Sequence, residues 1–192
     1  GPTDTCVMQL GGPGLEDWTV DELSVLTNMS VEGGLMTGIL EPTPQIVDFL
    51  RKRRGVDVSD QLVYPDEGAT YTREMRINLR DVPVTVATPG DSRNRQSLDR
   101  VGHVPIHNIV IASCTGGSLA DLAAAADVLE GRSLAEGVRL TVTPSSEDVQ
   151  SEAERLGYLK LFRSLGAVVT PPGCGSCIGN GPGIPEEGET TA

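Results

Sequence analysis

Aromatic side chains are scarce in this sequence, with one Trp, three Tyr and two Phe among 192 residues. Val, Leu, Ile and Ala must therefore fill the core, as they do in parallel sheets buried beneath helices. Positive charge is also short. Fifteen Lys and Arg stand against twenty-seven Asp and Glu, a net charge of −12. That balance repels phosphate backbones and argues against nucleic-acid binding as the main task. No apolar run approaches the ~20 residues needed to span a bilayer, and no signal-peptide pattern is seen. A soluble, cytoplasmic protein with no nucleic-acid or membrane partner is expected. Four cysteines in such a chain do not read as a secreted disulfide framework, so metal or catalytic use is the better reading. The opening Gly-Pro, in place of Met, fits a protease scar or a piece of a longer protein.

What is present reads as alternating strands and helices. Residues 7–14, VMQLGGPG, predict a short strand running into a Gly/Pro turn, and that glycine group is by itself weak evidence for phosphate binding. Thr19 and Glu22 form a capping box that starts a helix, which stops at Gly33 and Gly34. Pro42 and Pro44 precede a second helix ending near Gly55. Residues 56–70 are polar and turn-rich, a connection that divides the chain into 1–62 and 63–192. Tyr71–Leu79 alternates as a strand does, VPVTVAT (82–88) is β-branched, and PGDSRNR (89–95) reads as a solvated loop.

From residue 106 the pattern sharpens. IHNIVIAS is a strand, SLADLAAAADVLEGR a strong helix former, and VRLTVTP a strand. A helix from Ser145 to Gly157, the helix YLKLFRSL, the strand AVVT and the loop PPGCGSCIGNGPG follow. This order predicts an α/β chain with strands near 107–112, 138–143 and 167–170 parallel in one sheet, and helices on both faces.

Cys114 closes the first of these strands, and Cys174-Gly-Ser-Cys177 follows the last. Ligands of open α/β sheets bind at the carboxyl ends of strands, and a helix N-terminus beyond Cys114 would stabilise its thiolate. Parallel strands would bring all three sulfurs to one edge. Taken alone, Cys114 reads as a buried apolar cysteine, and the C-x-x-C pair as zinc or a redox dithiol. A redox pair belongs near the start of a helix, whereas Gly and Pro surround this one. Zinc wants a fourth ligand, and the candidates His103 and His107 precede the strand, toward the opposite edge. Asn28 and Glu32 lie four apart on the first helix and share a face; on pattern alone they are polar residues facing solvent. Cys6 reads as a buried structural thiol.

IASCTGGSLADLAAAADVLEGR, GVRLTVTPSSEDV and GAVVTPPGCGSCIGNGPG, in that order and spacing, resemble the aconitase family. Within it they look most like 3-isopropylmalate dehydratase large subunits and homoaconitase-like members. GGPGLEDWTVDELSVLTNMSVEGGLMTGILEP, REMRINL and VATPGDSRNR resemble it too, so the likeness covers nearly the whole chain. It implies a partial aconitase-like three-layer α/β/α fold, with 1–62 the trailing part of a preceding domain and 63–192 the cluster-binding domain. It also implies a [4Fe–4S] cluster on Cys114, Cys174 and Cys177. One iron would lack a protein ligand and act as a Lewis acid on the substrate. Gly173, Gly175, Gly179 and Gly181 would let backbone approach the cluster. Asn28 and Glu32 match the family's N-M-x-x-E stretch: Asn28 would sit against the cluster, and Glu32 would bond the water or hydroxyl at the open iron. The implied reaction dehydrates and rehydrates a small hydroxy-di- or tricarboxylic acid, of the 3-isopropylmalate or aconitate type.

The chain departs from the family at Gly116, where Asn or Ser is usual. The family's histidine-rich acid–base elements lie upstream of the matched region, and its Asn-Arg stretch for substrate carboxylate lies beyond it. Its serine base is on a swivelling domain or small subunit. These parts are the expected partners, and the chain alone is expected to be inactive. The other reading, favoured by those missing parts and Gly116, is a non-catalytic [4Fe–4S] sensor or interaction module on an aconitase scaffold. Citrate, 3-isopropylmalate, homocitrate and dimethylmalate all remain open as substrates.

Overall fold

The computed structural model describes residues 5–91 and 93–192. The chain forms two compact units, Gly1–Gly102 and His103–Ala192.

The first unit begins with strand β1 (Val7–Leu10), helix α1 (Val20–Glu32) and strand β2 (Thr37–Leu40). β1 and β2 pair in parallel, Val7 against Thr37 through Leu10 against Leu40, so α1 is the crossover. The capping box forms as expected: Glu22 N–H donates to Thr19 Oγ1 at 3.3 Å, and Thr19 N–H donates to Glu22 Oε2 at 2.7 Å. These bonds, the backbone one first, lower the Glu22 carboxyl below its ordinary range. α1 buries Leu23 and Ser30. Gly38 of β2 lets the helix come close, since a Cβ there would lie 3.0 Å from the Thr27 Cα and overlap the Ser30 hydroxyl. Helix α2 (Pro44–Arg54) is capped by Thr43 and stopped by Gly55, left-handed at φ 66. Arg51 to Arg54 sit in its last turn, where the helix dipole favours cations.

Strands β3 (Thr85–Ala87) and β4 (Arg95–Ser97) form an antiparallel hairpin. The expected strand 82–88 is thus shorter, and β4 occupies the end of the expected loop. Ser92 of that loop lies outside the described residues. Arg93 donates to both Asp91 oxygens, at 2.8 and 2.6 Å, and holds that carboxyl well below its usual range. Residues 71–79 are a correction: they form no strand, and Met75 and Ile77 are each 63 % exposed. Alternation supplies a pleated pattern, but a strand also needs a ladder partner, and none of the assigned strands pairs with this stretch.

The second unit runs β5 (Asn108–Ala112), the single turn α3 (Ser113–Gly116), α4 (Leu119–Leu129), β6 (Arg139–Thr143), α5 (Glu147–Arg155), α6 (Tyr158–Ser164) and β7 (Val168–Val169). The three expected strands lie parallel in the order β5-β6-β7. Leu122 and Ala126 of α4, Ala153 of α5, and Leu159 and Phe162 of α6 close over Leu140 and Val142 of β6. The core is aliphatic but for Phe162, as the shortage of aromatics requires.

The α/β class with a mainly parallel sheet therefore holds, with one helix layer in this unit. The opposite face carries buried Asn108, Thr141 and Thr143. The C-terminal segment, not a second helix layer, covers it: a Cβ at Gly183 would lie 3.0 Å from Val110 and 3.2 Å from the Thr141 hydroxyl. That segment then runs parallel beside β5. Asn108 N–H donates to Thr190 O, Ala192 N–H to Asn108 O, and Val110 N–H to Ala192 O. Among the described residues, no helix is long and apolar enough to cross a membrane.

Glu189 anchors this segment. Its carboxylate accepts from Arg139, from Asn108 Nδ2 at 3.0 Å and from Glu186 N–H at 2.8 Å. Arg139 first, then the Glu186 amide, holds the carboxyl at about 2, against an ordinary 4.5. A carboxyl lowered on folding stabilises the fold above its unfolded value, and that contribution is lost as pH falls through the folded one. Thermal unfolding across pH ~4.5 to ~2 should therefore show a steeper loss for the wild type than for Glu189→Gln. Equal slopes would mean the anchor does not contribute.

Candidate functional site

Parallel pairing ends β5, β6 and β7 at one edge, and the residues beyond each strand meet there. Ser113 follows β5. It is 5 % exposed, and among the described residues it is the one non-glycine with positive φ, at 65°. Serine is uncommon there and held only by its surroundings. Its hydroxyl donates to the Gly173 carbonyl at 2.8 Å and lies 3.3 Å from the Cys174 carbonyl. Cys177 Sγ donates to Ser113 Oγ at 3.5 Å. The residue beside Cys114 is thus tied to the C-x-x-C segment 60 residues on.

The other two strands supply Thr143 and Thr170, whose hydroxyls bond each other at 2.6 Å. Gly117 packs under the same edge: a Cβ there would lie 2.5 Å from the Thr143 carbonyl oxygen and 2.8 Å from that of Ser113. Gly116, where the chain departs from the family pattern, is the opposite case, since a Cβ there would meet nothing within 4 Å.

Cys174 caps a 3-10 turn, Gly175–Ile178, that contains Cys177, and Cys177 N–H donates to Cys174 O at 3.0 Å. Cys114 is the second residue of α3. All three cysteines are exposed, which corrects the expectation of a buried Cys114 on its own. The expected helix start next to Cys114 is corrected too. α3 stops after one turn, and α4 opens beyond Gly117 with its own capping box, Ser118 with Asp121. That box pairs the Ser118 and Asp121 amides.

Among the described residues, no three His, Cys, Asp or Glu side chains are gathered closely enough to hold a metal ion. The backbones that bear the cysteines meet, but the side chains do not form a ready cage. Thiols have no mutual attraction; metal binding itself supplies the free energy that gathers such ligands. The donors fit an iron–sulfur group in kind: soft sulfurs, all exposed. A Cβ at Gly173, Gly179 or Gly181 would meet nothing within 4 Å. His107 directly precedes β5, at the edge away from Cys114, and its Nδ1 accepts from Thr190 N–H at 3.1 Å.

In the first unit, Asn28 is half-buried and Glu32 exposed, both on α1. At about 100° per residue they fall on the side of the helix away from Leu23, so they do share a face. Cys6 is exposed, a correction to the expected buried thiol. It precedes β1, in a two-stranded sheet too narrow to enclose it. A cleft of about 620 Å³ opens beyond β1 and β2, lined by Gly11, Gly12, Leu15, Glu16, Glu41 and Gln45 among others. Gly11 and Gly12 of the GGPG turn, weak evidence of a phosphate site in the sequence, lie on its rim. Neither Asn28 nor Glu32 lines it.

The model of the aconitase family (aconitate hydratase) matches residues 3–103 and 91–192, nearly the whole chain. The chain belongs to the aconitase family. The resemblance carried by the two cysteine loops is therefore real. Among aconitase-family proteins it is similar to the 3-isopropylmalate dehydratase large subunit of Clostridium kluyveri, 34 % identical over 182 residues. The large subunit 1 of that enzyme from Pyrococcus furiosus is 35 % identical over 185 residues. The 2,3-dimethylmalate dehydratase large subunit of Eubacterium barkeri is 34 % identical over 184. Each match covers 95 % of this chain but 43 % of the relative, so the chain spans less than half the length of the curated relatives it matches.

The two glycines after Cys114 should respond oppositely to substitution. Gly117→Ala forces a Cβ into backbone oxygens and should cost ~1–3 kcal/mol. Gly116→Asn meets open space and should change stability by less than ~0.5 kcal/mol. Urea unfolding of the two variants checks this, and equal costs would contradict the packing described.

Proposed function

We propose that this chain is the iron–sulfur-bearing part of an aconitase-family hydro-lyase acting on a small hydroxy acid, with Cys114, Cys174 and Cys177 as ligands. The observation that carries the reading is the tie from Ser113 to Gly173 and Cys177. It joins the only two segments of the chain that bear those three cysteines. Bound there, a [4Fe–4S] cluster supplies a Lewis-acid iron, left without a protein ligand, toward a substrate hydroxyl and carboxylate.

The chain's own residues have distinct tasks in this reading. The three thiolates hold the group. By the family resemblance, Asn28 would sit against the cluster, and Glu32 would bond the water or hydroxyl at the open iron. Relatives named for 3-isopropylmalate and 2,3-dimethylmalate favour a branched hydroxy-dicarboxylic acid among the open substrates. The upstream histidines and a swivelling domain or small subunit with the serine base complete the reaction, so this chain is inactive alone, in the cytoplasm. Residues 1–62 then belong to a preceding domain and 63–192 to the cluster-binding one. A non-catalytic [4Fe–4S] module is the second reading, favoured by Gly116, whose lack of a side chain removes a polar contact.

Anaerobic reconstitution with iron and sulfide tests the ligand set. The wild type should turn brown, lose one iron readily in air, and then show the paramagnetic signal of an oxidised three-iron centre. Ser at any one of Cys114, Cys174 or Cys177 should abolish stable assembly, whereas Cys6→Ser should not. Four tightly held irons with Cys6 required would overturn the open-iron reading and leave the non-catalytic one standing.

A further inference from the structure

We propose that Ser113 is a positioning residue of the cysteine site: its hydroxyl clasps the Cys174–Cys177 loop to the carboxyl end of β5 and sets that loop's place relative to Cys114. This rests on the reading above only in taking the three cysteines as ligands.

Burial makes the first argument. Ser113 is 5 % exposed although Cys114, Cys174 and Cys177 are all exposed, so the fixed point of the site is the serine. Backbone conformation makes the second. At φ 65 a glycine would sit without strain, and Asn more easily than Ser. A serine there needs a reason in its side chain. The hydroxyl's bonding supplies it. One proton and two lone pairs are available. The proton goes to the Gly173 carbonyl at 2.8 Å, and a lone pair receives the Cys177 thiol at 3.5 Å. Both ends of the loop are therefore held by one atom. On binding a metal Cys177 would release its proton to solvent, and the Ser113 hydroxyl would keep its own proton for the Gly173 carbonyl.

Two variants of the full chain separate hydroxyl from backbone. Ser113→Ala removes the hydroxyl and keeps the strain; Ser113→Gly removes the hydroxyl and relieves the strain. Rapid-quench amide exchange without metal should show the amides of residues 173–181 exchanging about fivefold faster in both variants, the scale of one hydrogen bond. The β5 and β6 amides should be unchanged in Ser113→Gly. If Ser113 served only the backbone, Ser113→Gly would protect the loop as well as the wild type or better, and the clasp would be refuted. Should Ser113→Ala fail to fold, Ser113→Gly alone decides. After reconstitution, Ser113→Gly should lose iron in air faster than the wild type and show an altered three-iron signal. Unchanged iron loss and signal, with a loosened loop, would overturn the positioning role. A wild type that takes up no cluster would instead sink the ligand reading, while the exchange result still decides the clasp.

Discussion

Pairing of β5 to β6, and of β6 to β7, in a single direction is the constraint on which the second unit depends. Parallel neighbours cannot be joined by a tight turn, so each pair needs a crossover. α4 makes the first, and α5 with α6 makes the second. The same helices bury Leu122, Leu159 and Phe162 against Leu140 and Val142, so the crossover and the core are one device. A common direction also means a common carboxyl edge. Reversing β7 would send the chain after it, with Cys174 and Cys177, toward the opposite edge.

At that edge a rigid sheet meets an adaptable loop. The loop leaves β7 near Thr170, touches Ser113 at Gly173 and Cys177, packs Gly183 on Val110 and Thr141, and is moored by Glu189 to Arg139 and Asn108. Between these seats it is glycine-rich and open. Such an arrangement holds the loop's path, and binding of a group at the cysteines would supply the energy that gathers them. The absence of a ready three-ligand cluster among the described residues accords with this division.

Legibility differed by element for physical reasons. The second unit's strands and helices carry strong local signals: β-branched runs, alanine-rich helix, and glycines at the joints. Their parallel order followed from strand–helix alternation. β2 was missed because TGIL, between two glycines and two prolines, is short and has meaning only beside β1. Residues 71–79 were misread in the other direction, since alternation does not show whether a partner edge exists. Cys6 was misjudged because cysteine's usual preference for burial says nothing about a two-stranded sheet.

The sequence by itself determined the family, the crossover architecture of residues 106–170, the helix caps, and the identity of Cys114, Cys174, Cys177, Asn28 and Glu32 as candidates. These rest on local propensity and on motif spacing, which neighbours along the chain specify. Tertiary structure alone decided the role of Ser113, the need for glycine at 117 and its dispensability at 116, and the return of Glu189 to β5. The contacts of Ser113, Gly117 and Glu189 bring together atoms from positions 26 to 81 residues apart, and such contacts exist only once the sheet has set which strand ends share an edge.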